Sequence, residues 1–237
     1  MALVALGAAA PLALAQGETA YQTSSYTLSQ ERPGKTSSER FVFDYVDPAD
    51  PAGKPPAVRK VTTILPKGGQ YDTSVPEACT ATDAELMASG GAACPEGSAI
   101  GGGVVTVDTG FPEPGRIVTA DVEFLNAPGE FIYVNTVRGS GARTIIRAEV
   151  TDRLTITETG MLPGTPPEGG SIDTVDVTVE GVSRIVDGER RRYITTPPRC
   201  PKDRSWTARV RFEYGDGTAQ TMATENKCVK PKRKGPR

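Results

Sequence analysis

The chain has 237 residues and a formal net charge of −2, and 37% of its residues are hydrophobic. Its 26 glycines and 20 prolines stay below the fraction of roughly a quarter that marks low-complexity disorder, so a folded core of modest size is expected. The chain contains no histidine, which excludes Ser–His–Asp hydrolysis and histidine-ligated metal sites and removes the usual imidazole acid–base chemistry.

The first predicted element is a secretory signal peptide over residues 1–15. This stretch is apolar and uncharged, and it ends in Ala13-Leu14-Ala15, the small-residue pattern that precedes a cleavage site. A positive charge normally comes before such a stretch, so we expect the true start to lie farther upstream; the alternative is an apolar N-terminal strand or helix. The stretch is too short to span a bilayer, and no other approaches that length. The mature protein is therefore predicted to lack a transmembrane segment and to be secreted or associated with the cell envelope.

Much of the mature chain alternates between apolar and polar residues with a period of two, which is typical of half-buried β-strands. The β-branched residues in these stretches favour the same structure. The stretch 131–137 is apolar on both faces, which predicts a central strand. The alternating stretches are 41–45, 61–65, 116–125, 146–150 and 175–180, and 104–107 is also predicted to be a strand.

One short helix is expected, over Asp83–Ser89 (DAELMAS), with Thr82 or Asp83 as its cap. The segment that follows, CPEGSAIGGG from Cys94, lacks the GK[ST] ending and the succeeding helix of a phosphate-binding loop. A catalytic Cys94 would have no histidine to activate it. We interpret the segment as a turn held by a disulfide, with three glycines that lead the backbone tightly into a strand.

The clearest local prediction is a hairpin near the C-terminus. Asp216-Gly217 is typical of a two-residue type I′ turn, because glycine supplies the positive φ that this turn needs. On the return strand, the small residues at 219, 221 and 223 are expected to lie opposite the large ones. The large residues belong to the face of the first strand that carries Trp206, Ala208, Val210, Phe212 and Tyr214.

The chain has four cysteines, and in an exported protein an even number indicates disulfides. Their spacing favours the pairs Cys79–Cys94 and Cys200–Cys228 among three possible connectivities. The loop-entropy model gives these bridges stabilisations of roughly 3 and 3.5 kcal/mol. A zinc site is disfavoured because neither pair has the short C-x₂₋₄-C spacing that zinc requires. No metal or cofactor is expected.

The sequence VVTVDTG, which ends at Gly110, is similar to the Asp-Thr-Gly loop of aspartic proteases. That chemistry needs two carboxylates that share one proton, so a second loop or a symmetric dimer would have to supply the partner of Asp108. The chain has one such loop. Asp108 is therefore the candidate catalytic residue of an alternative hypothesis, a carboxylate-dependent hydrolase, whereas the simpler interpretation is a turn after a strand.

The C-terminal end is basic, which gives it a possible role in binding polyanions. Residues 229–237 are predicted to be a disordered tail, and a contact with cell-wall polyanions is a candidate function for it. Nucleic acid is not an expected partner of an exported protein. The cations of this end are Lys227, Lys230, Lys232, Arg233, Lys234 and Arg237.

Four pieces of sequence occur in an order that resembles a family of uncharacterised secreted proteins from high-GC Gram-positive bacteria. They are LPKGGQYDTSVPEAC from Leu65, CPEGSAIGGG from Cys94, TTPPRCP from Thr195, and W…FEYGDGTAQT…C from Trp206 to Cys228. The resemblance implies an exported β-rich module with two disulfides. It implies no activity and no catalytic residues.

Together these observations predict an all-β protein, an antiparallel two-sheet β-sandwich with one short helix, in a single domain over residues 16–228. The expected function is that of a non-enzymatic secreted or envelope protein with a binding or structural role. The alternatives are the hydrolase at Asp108 and a carbohydrate-binding sandwich. The latter would need an exposed row of aromatic residues, and the one tryptophan is predicted to face inward.

Overall fold

The computed structural model describes residues 22–45, 50 and 52–230. The predicted signal peptide and most of the basic tail lie outside these residues. Within them, the structure has one α-helix, α1 (Asp83–Ser89), two short 3₁₀ segments (Gly90–Ala93 and Glu96–Ser98) and fifteen strands. The strands are β1 (Gln22–Leu28), β2 (Glu39–Tyr45), β3 (Val58–Ile64), β4 (Gln70–Tyr71), β5 (Ala99–Asp108), β6 (Ile117–Ala127), β7 (Glu130–Val137), β8 (Arg143–Val150), β9 (Leu154–Glu158), β10 (Ser171–Val179), β11 (Ser183–Val186), β12 (Glu189–Arg192), β13 (Ile194–Thr195), β14 (Ser205–Tyr214) and β15 (Ala219–Lys227).

The all-β prediction is confirmed, but the strands do not separate into the two sheets of the expected sandwich. Eleven strands form one continuous sheet in the order β1-β2-β10-β5-β6-β7-β8-β9-β3-β14-β15, with antiparallel neighbours throughout. Two clearly separate sheets are not seen among the described residues, because β10 inserts between β2 and β5, and β3 between β9 and β14. These insertions join the early and late parts of the chain in one hydrogen-bonded ladder.

The sheet curves until its two end strands meet, which makes it nearly closed. Strands in an antiparallel ladder alternate in direction, so the first and the eleventh must point the same way and cannot continue the antiparallel pattern. Side chains join them instead. The amide of Asn226 on β15 accepts from the backbone N–H of Leu28 at 2.7 Å and donates to the carbonyl oxygen of Tyr26 at 3.2 Å. Thr224 Oγ1 accepts from the N–H of Tyr26 at 3.3 Å.

The period-two alternation places one face of each strand in a shared interior. β2 is buried at Glu39, Phe41, Phe43 and Tyr45 and more exposed at the residues between. The inward face predicted for β14 is confirmed, since all of its residues are buried. They are Trp206, Ala208, Val210, Phe212 and Tyr214. The stretch 131–137 is central, as expected, because β7 pairs with both β6 and β8.

The return strand of the C-terminal hairpin has a register that differs from the prediction by one residue. Phe212 lies opposite Gln220 and Val210 lies opposite Met222, whereas the small residues lie opposite outward-facing charged ones. The reason is the turn. Tyr214 and Thr218 close a three-residue loop, with Gly217 at φ +85°, instead of the expected two-residue loop. Because side chains alternate between faces, this single residue moves every side chain of the return strand to the opposite face.

The helical segment packs outside the sheet and is fixed by a disulfide. Thr82 caps α1 as expected, and its side chain and that of Glu85 form a reciprocal capping box. Leu86 then packs with Leu125, Ile132 and Val134 on the outer face of β6 and β7. Both expected bridges, Cys79–Cys94 and Cys200–Cys228, are present. No helix among the described residues is both long and apolar enough to cross a membrane.

The three glycines after Cys94 have the role expected of them. At positions 101, 102 and 103 of β5, an added Cβ would collide with a backbone oxygen of a neighbouring strand. Gly101 also has a φ of +138°, at an irregularity in the pairing of β5 with β6. Glycine is therefore required here for β5 to lie between β6 and β10.

Candidate functional site

The interior of the nearly closed sheet contains a cavity of about 120 Å³. Its walls are the inner faces of eight strands, and most of the lining side chains are apolar or aromatic. The contributing strands are β2, β3, β5, β6, β7, β8, β9 and β10. We call this space the interior cavity. It exists because so many strands share one interior that their inward side chains do not meet at the centre.

A second cavity of about 140 Å³ adjoins the first toward one end of the sheet. Val105, Ile146 and Ile172 line both cavities, so the two share a wall. Leu162 and Pro163, from the loop between β9 and β10, lie over the second cavity. The interior therefore contains two adjacent apolar spaces.

Aromatic side chains give the interior cavity rigid walls. Phe43 on β2 meets Phe212 on β14 edge to face, with ring centroids 5.1 Å apart. Phe124 meets Tyr133 in the same way at 4.8 Å. Such edge-to-face pairs add to the stability that burial alone provides, and they fix the rings in place.

Glu39 is the one ionisable acid that lines the interior cavity, and it is 1% exposed. Its Oε2 accepts hydrogen bonds from the hydroxyls of Tyr26 at 2.6 Å and of Tyr71 at 2.8 Å. Burial raises the pKa of Glu39 to about 7, and the two hydroxyl donors oppose part of that rise. Glu39 can therefore gain or lose a proton near neutral pH.

Four tyrosines surround this carboxyl group. Tyr26 and Tyr71 bind it directly. Burial, with a smaller contribution from the charge of Glu39, raises the pKa of Tyr133, whereas the contact of its hydroxyl with Thr157 Oγ1 at 3.0 Å lowers that pKa. Burial and then the same charge raise the pKa of Tyr193, and the hydroxyl of Tyr193 has no hydrogen-bond partner among the described residues. We call Glu39 and these four tyrosines the Glu39 cluster. At neutral pH its phenols stay protonated, and only the carboxyl group titrates.

The opposite end of β2 carries a second, weaker polar feature. Tyr45 lines the interior cavity, and its hydroxyl has no partner among the described residues. Gln22 lies directly opposite Tyr45 on β1, and neither polar atom of its side chain has a partner within the same part of the structure. Buried polar groups without partners are uncommon in folded proteins, so this end could bind water or the polar part of a ligand.

Asp108, the sequence-predicted catalytic candidate, lies at the end of β5 outside the Glu39 cluster. Its Oδ1 accepts from the N–H of Gly110 at 2.8 Å, and its Oδ2 binds the guanidinium of Arg116 at 2.9 Å. No hydrogen bond in the described part of the chain joins it to a second carboxylate. Both oxygens thus hold the 108–116 turn in place, and the pair of acids that an aspartic protease needs is not formed here.

The remaining predicted site residues are structural or lie largely outside the described range. All four cysteines are in disulfides, so none is a free thiol. Of the basic end, Lys227 and Lys230 are described, and Lys227 Nζ lies 3.5 Å from Glu31; the other four cations belong to residues 231–237. No group of three or more potential metal-binding residues occurs among the described ones.

The sequence contained a signal for Glu39 that the composition and motif analysis missed. In ERFVFDY, Glu39 occupies the same face as Phe41, Phe43 and Tyr45, so its position in the alternation places an acid in the core. Tyr71 and Tyr193 come from β4 and from the residue before β13, far apart in sequence. Only the fold brings them to this carboxyl group.

Comparison with known proteins identifies no matching family model, no matching curated protein and no matching solved structure. The interior combines an apolar space among rigid aromatic walls with a titratable carboxyl group at its edge.

Proposed function

We propose that this protein is an exported, non-enzymatic binding protein that holds a small apolar molecule inside its nearly closed sheet. The interior cavity carries this proposal, because it is an apolar space that close packing would normally fill. Protein interiors are normally packed as densely as organic crystals, with few voids larger than a water molecule. An apolar cavity of roughly 150 Å³ is enough to bind benzene. The two adjoining cavities, of about 120 and 140 Å³, are each slightly smaller than this, so one small ring is the proposed occupant of either cavity and a second ring would need both.

The chemistry of the site supports binding over catalysis. A carboxyl group in an apolar pocket can serve as a general acid or base, but hydrolysis also needs a nucleophile or an oriented water. The polar atoms nearest to Glu39 are phenols with raised pKa values, which donate hydrogen bonds to it. Asp108 has both oxygens engaged by Gly110 and Arg116. A hydrolase at either acid therefore has no support from the geometry.

Export fits the disulfides and the predicted signal peptide. Two disulfides persist in oxidising surroundings such as the extracellular space. The resemblance to secreted proteins of high-GC Gram-positive bacteria leads to the same expectation. Binding of the basic tail to cell-wall polyanions is part of this proposal, and it would keep the protein at the envelope.

The test is the binding of neutral apolar molecules to the mature protein with its disulfides intact. Ethylbenzene and naphthalene, measured by calorimetry and by saturation-transfer NMR, are expected to bind and to raise the melting temperature. Val105→Phe fills the space shared by both cavities and should abolish binding. Val104→Phe is the matched control, because it makes the same change on the outer face of the same strand.

The comparison of these two variants also gives the result that would contradict the proposal. If neither hydrocarbon binds the wild type, the interior is not a binding site. If Val104→Phe and Val105→Phe reduce binding equally, the ligand occupies another surface or responds only to stability. Thermal denaturation of both variants shows whether each is folded under the conditions of the binding measurement.

A further inference from the structure

We propose that the interior ligand is an organic cation, an apolar molecule whose ammonium group binds Glu39 while its hydrocarbon part fills the interior cavity. This inference rests on the proposed binding function and specifies the chemical class of the ligand. It follows from three features of the Glu39 cluster: an acceptor that is incompletely used, a charge without a counter-ion, and a surrounding of aromatic rings.

The first feature is the hydrogen bonding of the carboxyl group. A carboxylate offers about four acceptor positions. Tyr26 and Tyr71 each have one hydroxyl proton, and both lie closest to Oε2, whereas Oε1 has only Tyr71 at 3.0 Å. Oε1 therefore retains acceptor capacity beside the interior cavity. A pure hydrocarbon ligand would leave this capacity unused, and a ligand with N–H donors would fill it.

The second feature is the absence of a counter-ion. Among the described residues, no lysine or arginine forms an ion pair with Glu39. Asp108 shows the usual arrangement for a buried acid in the same protein, because Arg116 binds it at 2.9 Å. Burying an unpaired charge is costly, and a charged partner offsets that cost. An ammonium group on the ligand would give Glu39 the partner that Arg116 gives Asp108.

The third feature is the aromatic surrounding. Phe131 lines the interior cavity, and the centroid of its ring lies 5.6 Å from that of Tyr71 and 5.9 Å from that of Tyr193. Aromatic faces attract cations, most strongly where water is excluded. Tyr193, whose hydroxyl has no hydrogen-bond partner among the described residues, belongs to the same cluster.

A carboxylate-bearing ligand fits this site poorly, because its charge would repel Glu39. A neutral hydrocarbon matches the apolar walls of the interior cavity but offers no N–H donor to the carboxyl group of Glu39. These two classes therefore provide the comparison ligands. Benzylamine, ethylbenzene and benzoate have nearly the same size and differ in the charge of one group. Their relative affinities report directly on the recognition at Glu39.

The test is calorimetry of these three ligands at pH 7.5 with the wild type, Glu39→Gln and Glu149→Gln. Glu149 is an exposed acid at the outer face of β8 and serves as the matched control. Benzylamine is expected to bind the wild type at least about tenfold more tightly than ethylbenzene, and benzoate is expected not to bind. Glu39→Gln should remove the preference for benzylamine over ethylbenzene, and Glu149→Gln should preserve that preference.

A measurement on the wild type alone covers the case in which Glu39→Gln does not fold. Binding of benzylamine at pH 6 should release close to one proton, because Glu39 is mostly protonated there and must ionise to pair with the cation. Calorimetry in two buffers of different ionisation enthalpy counts that proton. Tyr26, Tyr71, Tyr133 and Tyr193, which face Glu39, keep their protons over this range.

The outcomes separate this inference from the proposed function. If ethylbenzene binds but benzylamine binds no more tightly, or binds without proton release, the interior is a hydrocarbon site and the cation inference is wrong. If no ligand binds, both proposals fail. If benzylamine binds equally well to wild type and Glu39→Gln, the carboxyl group has a purely structural role.

Discussion

Asn226 on the last strand of the sheet binds the backbone of Tyr26 on the first strand, with its Nδ2 donating to the Tyr26 carbonyl oxygen at 3.2 Å. The same amide accepts from the N–H of Leu28 at 2.7 Å. One asparagine side chain thus contacts two residues of β1 as the backbone of a parallel neighbour would. It joins the two ends of the sheet at the place where an odd number of antiparallel strands cannot be joined by an antiparallel backbone ladder.

Asn226→Ala should therefore weaken the junction of β1 and β15. Loss of two hydrogen bonds to partly buried backbone groups is expected to lower the free energy of unfolding by about 1–3 kcal/mol. Hydrogen exchange should also become faster at Leu28. Chemical denaturation and amide exchange measure these effects, with Thr221→Ala on the outer face of β15 as control. Equal exchange rates at Leu28 in Asn226→Ala and wild type would show that the amide does not hold the two strands together.

Glu39→Gln should change how stability depends on pH. The pKa of Glu39 is about 7 in the folded protein and about 4.5 in the unfolded chain, so the folded state holds the proton more tightly. The contribution of Glu39 is therefore most favourable below pH 4.5, and it declines as the pH rises to 7 and is then constant. The total decline is on the order of 3 kcal/mol.

The measurement is the free energy of unfolding of both proteins from pH 4 to pH 8. Relative to Glu39→Gln, the wild type should lose stability across this range, and the difference should stop changing above pH 7. The tyrosines that face Glu39 do not titrate in this window because their pKa values are raised. A difference that stays constant from pH 4 to pH 8 would mean that the carboxyl group is not perturbed by burial.

Asp108→Asn tests the structural role of the Asp-Thr-Gly loop. The change preserves the shape of the side chain but removes the charge that binds Arg116, whose side chain is 37% exposed. Solvent screening at Arg116 limits the expected loss of stability to about 1 kcal/mol. Binding of ethylbenzene should be unaffected. A hydrolytic activity of the wild type that disappears in Asp108→Asn would instead support the carboxylate-dependent hydrolase.

The local elements of this fold could be predicted from the sequence because their causes are local. Helix α1 begins and ends where the capping box and the glycine after it require, and the alternation in 206–214 gives the correct inward face. The disulfide pairs also followed from short sequence separation. These predictions depend on residues within one turn, one strand or one loop.

The sheet and the site depend on long-range pairing that a pattern of alternation does not specify. A period of two indicates that a strand has an inner and an outer face, but not which strand lies beside it. The insertion of β10 beside β2 therefore could not be predicted, and neither could the Glu39 cluster that it helps to enclose. The predicted hairpin register was wrong by one residue, because Asp216-Gly217 fits a three-residue loop as well as a two-residue one.

The order of the strands in the sheet determines when the sheet can be completed during folding. β1 and β2 depend on a neighbour at residues 171–179, and β3 depends on one at 205–214. Every N-terminal fragment that ends before residue 205 lacks β14 and β15. Nascent or truncated chains of this length therefore cannot form the complete sheet. High contact order of this kind slows folding. The nearly closed sheet is complete only after its last hairpin has formed.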